Sequence, residues 1–401
     1  MKDKRLLIIF VTVFIDLVGF GIIIPLNPYL ADKFGATPLD VGLLMGIYSL
    51  MQFLCAPFWG QLSDRIGRRP VILWSLLGAA AAHTAFGFAT NFTGLIFARG
   101  LAGLFGGNIS TAMAYMADIT SEKDRSKGMG LVGAAFGLGF TLGPFIGGVF
   151  ADIGKSLGDQ PPFGESFPSL IAAGICLLNF VMAMKLLPES RDFTAPSQKR
   201  GGRLARIVSA LTTPVLGSLI FLVFLTTFAM AHIEASLFLF MRDQFQWSLT
   251  QAAYGFAYIG VIMVFTQGFL IRRFMPVFGE KKMMLIGFMI SCTSFILLSF
   301  SNQLGSMAFA VTLLALGNGL ANPALNGCVS LVSGREVQGN NLGVSQSLSS
   351  LARILGPPTG GALYQHFGHW SPFASAAVLS GSAVLLAWTI RSRLPEQGRG
   401  A

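Results

Sequence analysis

Long apolar stretches recur along the whole chain, separated by short runs that hold Pro, Gly or charge. A helix needs about 20 residues to cross a hydrocarbon core of ~30 Å. Inside that core each segment must satisfy its own backbone groups, which leaves helices or closed barrels. Stretches of this length read as helices. The spacing predicts twelve spans, near residues 6–30, 40–62, 71–90, 94–117, 128–152, 167–187, 214–240, 250–271, 282–300, 305–332, 341–364 and 371–392. Charged residues make up 11% of the chain, less than half the share of a soluble domain. The first run, from Leu6, holds Asp16, Gly19, Gly21 and Pro25 and is too long for a cleavable leader. It reads as a retained helix.

A net charge of +10 raises the question of nucleic acid, and the placement of the charge answers it. Of the 28 Lys and Arg, only Lys33, Lys155 and Arg242 fall in the alternate set of loops. Only Arg99 and Arg353 lie inside spans away from their ends. The rest gather on one side, which the positive-inside bias assigns to the cytoplasm. Both termini are then cytoplasmic, which requires an even number of spans. The expected organisation is an N-terminal six-helix bundle over 1–187, a cytoplasmic linker over 188–213 and a C-terminal six-helix bundle over 214–401.

The halves repeat. Gly143-Pro144-Phe145-Ile146-Gly147-Gly148 returns as Gly356-Pro357-Pro358-Thr359-Gly360-Gly361. In nearly the same register Gly67-Arg68-Arg69-Pro70 meets Gly279-Glu280-Lys281-Lys282, and Gly106 meets Gly319. Repeated halves are common in secondary transporters, with the substrate site between them.

These motifs resemble those of the major facilitator superfamily over nearly the whole chain. The segment Gly60-Gln61-Leu62-Ser63-Asp64-Arg65-Ile66-Gly67-Arg68-Arg69 is similar to its loop 2–3 signature. Gly133 through Gly148, with Gly139, Gly143, Pro144, Gly147 and Gly148, resembles the fifth-helix signature of its antiporters. Asp16-Leu17-Val18-Gly19-Phe20-Gly21, then Pro25 and Pro28, resembles the first helix of its twelve-helix drug:proton antiporters. Arg99 with Gly103, Gly106 and Gly107 resembles their fourth. Within that branch, Pro323-Ala324-Leu325-Asn326-Gly327 with Gln338, Gly339 and Gly343 looks most like tetracycline-efflux proteins and their eukaryotic relatives. Where tetracycline-efflux proteins carry a helix 8 histidine this chain has Met263, and Glu234 resembles the eukaryotic branch. The resemblance implies an all-α membrane fold of two pseudo-symmetric six-helix bundles and proton-coupled export of small amphipathic compounds.

Ionisable groups inside spans mark functional sites. Asp16 lies about ten residues into the first span, roughly 15 Å deep. A carboxylate there is costly when ionised and unpaired, the property a proton carrier needs. The alternative is a permanently paired Asp bracing the helix. Arg99 enters from the other side at similar depth and either pairs with Asp16 in one state or braces the helix 1 backbone. Glu234, near His232, either binds a cationic group, carries a second proton or snorkels.

Asn318, Asn322 and Asn326 recur every four residues and share a face. Three amides toward lipid would be costly, so they face a cavity or a neighbouring helix. Arg353 has Phe140 as its repeat counterpart and binds substrate, an acid or backbone carbonyls. Asn108, Gln267 and Gln346 are further cavity candidates.

Asp64, Arg65, Gly67, Arg68 and Arg69 sit at the cytoplasmic edge, where the resemblance implies an inner gate. Asp118 and Arg125 extend the cluster. The second copy has Arg272 where the first has Asp64. Pro144 removes a backbone hydrogen bond and bends its helix.

The chain shows no Walker loop, HExxH, paired CxxC or GxSxG. Cys55, Cys176, Cys292 and Cys328 stand far apart in apolar stretches without metal-ligand spacing. The expected protein is no enzyme and takes no cofactor, no metal and no nucleic acid. Its partners are a small-molecule substrate, protons and the bilayer of the inner (plasma) membrane, and it works as a monomer. Rival readings are a lipid, lysolipid or metabolite transporter of the same fold, and a transport-inactive receptor or scaffold.

Overall fold

The computed structural model describes residues 2–120, 125–191, 203–333 and 338–394, which form helices and no strands. Helix α1, Lys2–Lys33, runs 32 residues and keeps Pro25 and Pro28 inside it. Helix α2, Pro38–Ile66, begins on a capping box. The Thr37 hydroxyl accepts from the Asp40 N–H, and the Asp40 carboxylate accepts from the Thr37 N–H at 2.9 Å. It ends at Gly67, whose φ of +106° suits a residue without a Cβ, and α3, Arg68–Gly87, starts one residue on.

The fourth crossing, read from sequence as one helix, is two. Helix α4, Phe92–Gly106, and α5, Ile109–Ile119, meet at a turn through Gly107 and Asn108. There follow α6, Arg125–Leu157, and α7, Phe167–Leu186. A short helix, α8, Arg203–Thr212, forms within the segment read as linker. The second half holds α9, Pro214–Phe245, α10, Leu249–Phe265, a π-turn over Thr266–Leu270, and α11, Ile271–Ser299. It closes with α12, Leu304–Val332, α13, Gln338–Phe367, and α14, Ser371–Ile390.

Ten stretches among the described residues are long and apolar enough to cross a bilayer. One of them, Leu249–Ser299, has 51 residues, roughly twice the length a bilayer needs. Its backbone turns at Gly279, so it makes two crossings. Helix α13 is 30 residues long and falls outside the ten; it carries Gln346 and Arg353. With it the crossings are twelve.

The chain divides into two compact units, Met1–Gln198 with Met241–Gly260, and Lys199–Phe240 with Val261–Ala401. In the first unit Ile9, Val13, Leu17, Ile72, Leu76, Tyr115 and Met116 build the core. In the second it is Leu219, Ile220, Met284, Phe288, Leu325 and Val329. Lipid is as apolar as these side chains, so burial alone does not hold the helices together; close backbone packing does.

The repeat seen in the sequence is a repeat of geometry. Gly67 (φ +106°, ψ 160°) and Gly279 (φ +73°, ψ 163°) turn the chain in the same way. A Cβ on Gly143 would come 2.6 Å from Gly21 Cα, so α6 rides on α1 there. In the second half a Cβ on Gly356 would strike Ala231, so α13 rides on α9. Gly147 approaches the carbonyl of Ile22, and Gly360 that of His232. The two pairings agree turn for turn.

Candidate functional site

The first unit gathers a polar cluster within its apolar interior. Asp16 sits midway along α1. The turn between α4 and α5 brings Asn108 to it, close enough for a side-chain hydrogen bond. Asn108, expected in the substrate cavity, is buried at this position. Arg99 on α4 is 3% exposed. Its guanidinium lies over the Tyr48 ring at 4.7 Å and the Phe20 ring at 5.7 Å. Such stacking on ring faces stabilises a cation, yet Nε and Nη1 have no hydrogen-bond partner. No ion pair joins Arg99 to Asp16 in this structure.

The sequence reading passed over His83 on α3. It is buried, within electrostatic reach of Arg99, and its Nε2 points at Gly19, one turn from Asp16. A lone histidine in an apolar span was the available signal.

In the second unit, Glu234 on α9 and Arg353 on α13 lie within electrostatic reach of one another. His232 is buried, its Nδ1 is 2.7 Å from the Phe228 carbonyl and its ring stands edge-on to Phe228 at 4.3 Å. The structure places it in the α9–α13 packing contact. The asparagine ladder of α12 divides. Asn322 donates to Asn318 at 2.8 Å, while Asn318 lines a small cavity inside the second unit with Thr226, Ser291 and Ser380. Asn326 is exposed, as are Gln346 and Arg353 on α13. Gln267 lies in the π-turn.

The edge of the first unit near Gly67 carries a dense ion network. Arg68 binds Asp64 at 2.7 Å and Asp118 at 3.2 Å, and its Nη1 donates to Ser63 at 2.6 Å. Sequence reasoning missed Glu189, which borders this network. Its carboxylate accepts from the backbone N–H groups of Arg68 at 2.8 Å and Arg69 at 3.1 Å. A carboxylate on the first N–H groups of a helix satisfies orphan donors and meets the positive end of the dipole. Arg69 donates to the Met184 carbonyl at 2.6 Å, and Arg65 is exposed. The Arg125 side chain lies outside the described residues.

The opposite edge of the same unit carries a second network that the sequence did not signal. Arg242, at the end of α9, binds Asp32 at the end of α1 at 2.8 Å and Asp243 at 2.7 Å. The Tyr29 hydroxyl donates to the Trp247 carbonyl at 2.9 Å. Thr250 on α10 donates to Asp152 on α6 at 2.6 Å. The antiporter-like glycines serve two neighbours: Gly139, Gly143 and Gly147 meet α1, whereas a Cβ on Gly148 would lie 3.0 Å from Ala253 of α10.

Twelve crossings in two geometrically repeated halves define an integral, multi-pass membrane protein with the organisation of secondary transporters. The chain belongs to the Major Facilitator Superfamily, which it matches over residues 9–277 and 268–400. It is 33% identical to the class C tetracycline resistance protein of Escherichia coli, over 100% of this chain and 98% of that one. It is 25% identical to the quinolone resistance protein NorA of Staphylococcus aureus (strain COL), over 98% and 99% of the two chains. Among solved structures, the human organic anion transporter MFSD10 (TETRAN) superposes with a TM-score of 0.73 at 25% identity, covering 96% of this chain and 99% of that one. As a member of this superfamily, the protein is a transporter and not an enzyme.

Proposed function

We propose that this protein is a proton-coupled exporter of small amphipathic, drug-like compounds that works by alternating access. The observation that carries the reading is the Asp16 site: a carboxyl in mid-span, with the Asn108 side chain close to it and an incompletely satisfied Arg99 in the same bundle. Asp16 takes up a proton in one state and releases it in the other. The two states differ in affinity for the proton, and that difference drives the cycle. Glu234, within electrostatic reach of Arg353, either carries a second proton or meets the charge of the substrate.

The Asp64–Arg68–Asp118–Glu189 network is the cytoplasmic gate, and the Asp32–Arg242 and Asp152–Thr250 contacts fasten Met241–Gly260 to α1 and α6 at the far edge of the same unit. Six spans over 1–187 and six over 214–401 form the two moving halves, joined through 188–213. The protein is a monomer of the inner membrane with both termini in the cytoplasm, as the Lys and Arg asymmetry supports.

Proteoliposomes test this. Protein is oriented inside-out, an acid lumen is imposed, tetracycline and amphipathic dyes are added, and lumenal pH is recorded with uptake. Proton loss from the lumen that requires substrate and disappears in Asp16→Asn is the expected result. Uptake without proton movement removes the coupling, and no uptake of any compound removes drug export.

Export of an organic anion is a second reading, favoured by the exposed Arg353 on α13 and by the similarity to MFSD10. In the same vesicles an anionic dye preferred over a cationic one would support it.

A further inference from the structure

Arg99 has five N–H donors on its guanidinium. It is 3% exposed, with Nε and Nη1 unpartnered. An incompletely satisfied buried cation is costly, so the guanidinium is poised to move to an acceptor. Two stand in the same cluster. One is the Asp16 carboxylate, about one turn along α1 from Phe20, whose ring lies under the guanidinium. The other is the His83 imidazole, which when neutral offers one ring nitrogen as an acceptor.

The packing brings the two acceptors onto one short stretch of α1. A Cβ on Gly19 would lie 3.9 Å from His83 Nε2 and 3.1 Å from Cys176 Sγ. Gly19 is three residues from Asp16, about one helical turn. Its neighbour Phe20 carries one of the rings beneath Arg99. Near the imidazole are therefore Arg99 from α4 and Cys176 from α7, with Asp16 about one turn along α1 from Gly19. The apolar part of α3, residues 71–87, adds no other titratable group.

We propose that His83 is a positioning residue, the second seat of Arg99. When Asp16 is ionised, the guanidinium pairs with the carboxylate. When a proton from solvent binds a carboxylate oxygen, the ion pair is lost and an Arg99 N–H donates to the imidazole nitrogen instead. His83 gains no charge and Arg99 loses none; only the hydrogen bond changes partner. In this structure the guanidinium rests on the Tyr48 and Phe20 rings, in neither seat. The device turns protonation of one carboxyl into a displacement on α4, and it rests on the proton-coupling reading of Asp16.

The chain has four histidines, so ring nitrogens can be followed by NMR on full-length, histidine-labelled protein in nanodiscs, with His83→Gln to assign the signal. Asp16→Asn mimics the protonated acid. The His83 ring signal in Asp16→Asn should move relative to wild type at alkaline pH, and should return in Asp16→Asn combined with Arg99→Gln. A His83 signal indifferent to both changes overturns the second seat, whatever the protein transports.

Transport gives the second arm, with tetracycline as the probe in the vesicles described above. His83→Gln keeps an acceptor and should hold proton-driven uptake within about twofold, whereas His83→Leu should lower its maximal rate roughly tenfold at similar KM, the scale of one hydrogen bond to a charged group. Leu matching wild type overturns the proposal, as does Gln failing as deeply as Leu. If wild type moves no protons with tetracycline, the functional reading has failed, and the NMR arm alone decides the seat. That arm also serves if His83→Leu does not fold.

Discussion

Arg242 at the end of α9 holds Asp32 at the end of α1 at 2.8 Å, across 210 residues of chain. Met241–Gly260 belongs to the first compact unit, together with α1 and α6. Other polar contacts that fasten this segment include Tyr29 to Trp247 and Asp152 to Thr250.

Removing the ion pair should loosen that edge modestly. Asp32 is 55% exposed and Arg242 25%, so solvent screening limits the pair to about 0.2–1 kcal/mol. In a background without native cysteines, Ala253→Cys is packed under Gly148 and reports opening through its labelling by an impermeant maleimide. Arg242→Asp should speed labelling by no more than roughly fivefold. Adding Asp32→Arg should slow it again. Unaltered labelling in both would show that the ion pair does not fasten the segment.

Gly67 is held by backbone and by space. Its φ is +106°, and a Cβ would meet the Glu189 carboxylate. Gly67→Ala should cost about 1–3 kcal/mol, read as a lower midpoint in thermal unfolding in detergent. Glu189→Ala should cost about 1 kcal/mol through lost helix-end bonds. The two losses should not add, because removing the carboxylate makes room for the methyl group.

Gly143 and Gly137 share a helix and differ in surroundings. A Cβ on Gly143 would press on Gly21, while one on Gly137 meets open space. Gly143→Ala should therefore destabilise the protein by about 1–3 kcal/mol. Gly137→Ala should be neutral or gain up to about 1 kcal/mol from helix propensity. Thermal unfolding of both variants checks the contrast, and equal effects would refute the α1–α6 contact.

Glu234 faces the charge of Arg353. Glu234→Gln leaves that cation uncompensated. KM for a cationic substrate should rise roughly tenfold, as expected for losing one charged contact, and KM for an anionic one should fall. Identical changes for both would count against charge recognition here.

Asp64 reaches Arg68 from one turn earlier on α2. Asp64→Asn should slow turnover while leaving substrate affinity in a single locked state unaltered. Undiminished turnover would take Asp64 out of the gate.

The amino-acid sequence by itself carried the crossings and the repeat, and a Lys and Arg asymmetry from which an orientation is proposed. Each is a local property: a run long enough to span lipid, a cluster of Lys or Arg beside it, a glycine pattern that returns. Gly67 and Gly279 could be matched from their neighbours alone, and their backbone angles agree. Asp16, Arg99, Glu234 and Arg353 stood out because charge in an apolar span is rare.

Only the tertiary structure decided which groups meet. It set Asn108 against Asp16 through a turn hidden in an apolar run, gave Glu189 the start of α3, and turned Asn318 into the second unit. It also drew residues 241–260 toward α1 and α6. The physical reason lies in the solvent. A soluble helix shows its buried face by contrast with a polar one, but lipid and protein interior accept the same side chains. The rotation of each helix, and with it every partner of Arg99 and His83, is then set by glycine contacts and buried hydrogen bonds between segments far apart in the chain.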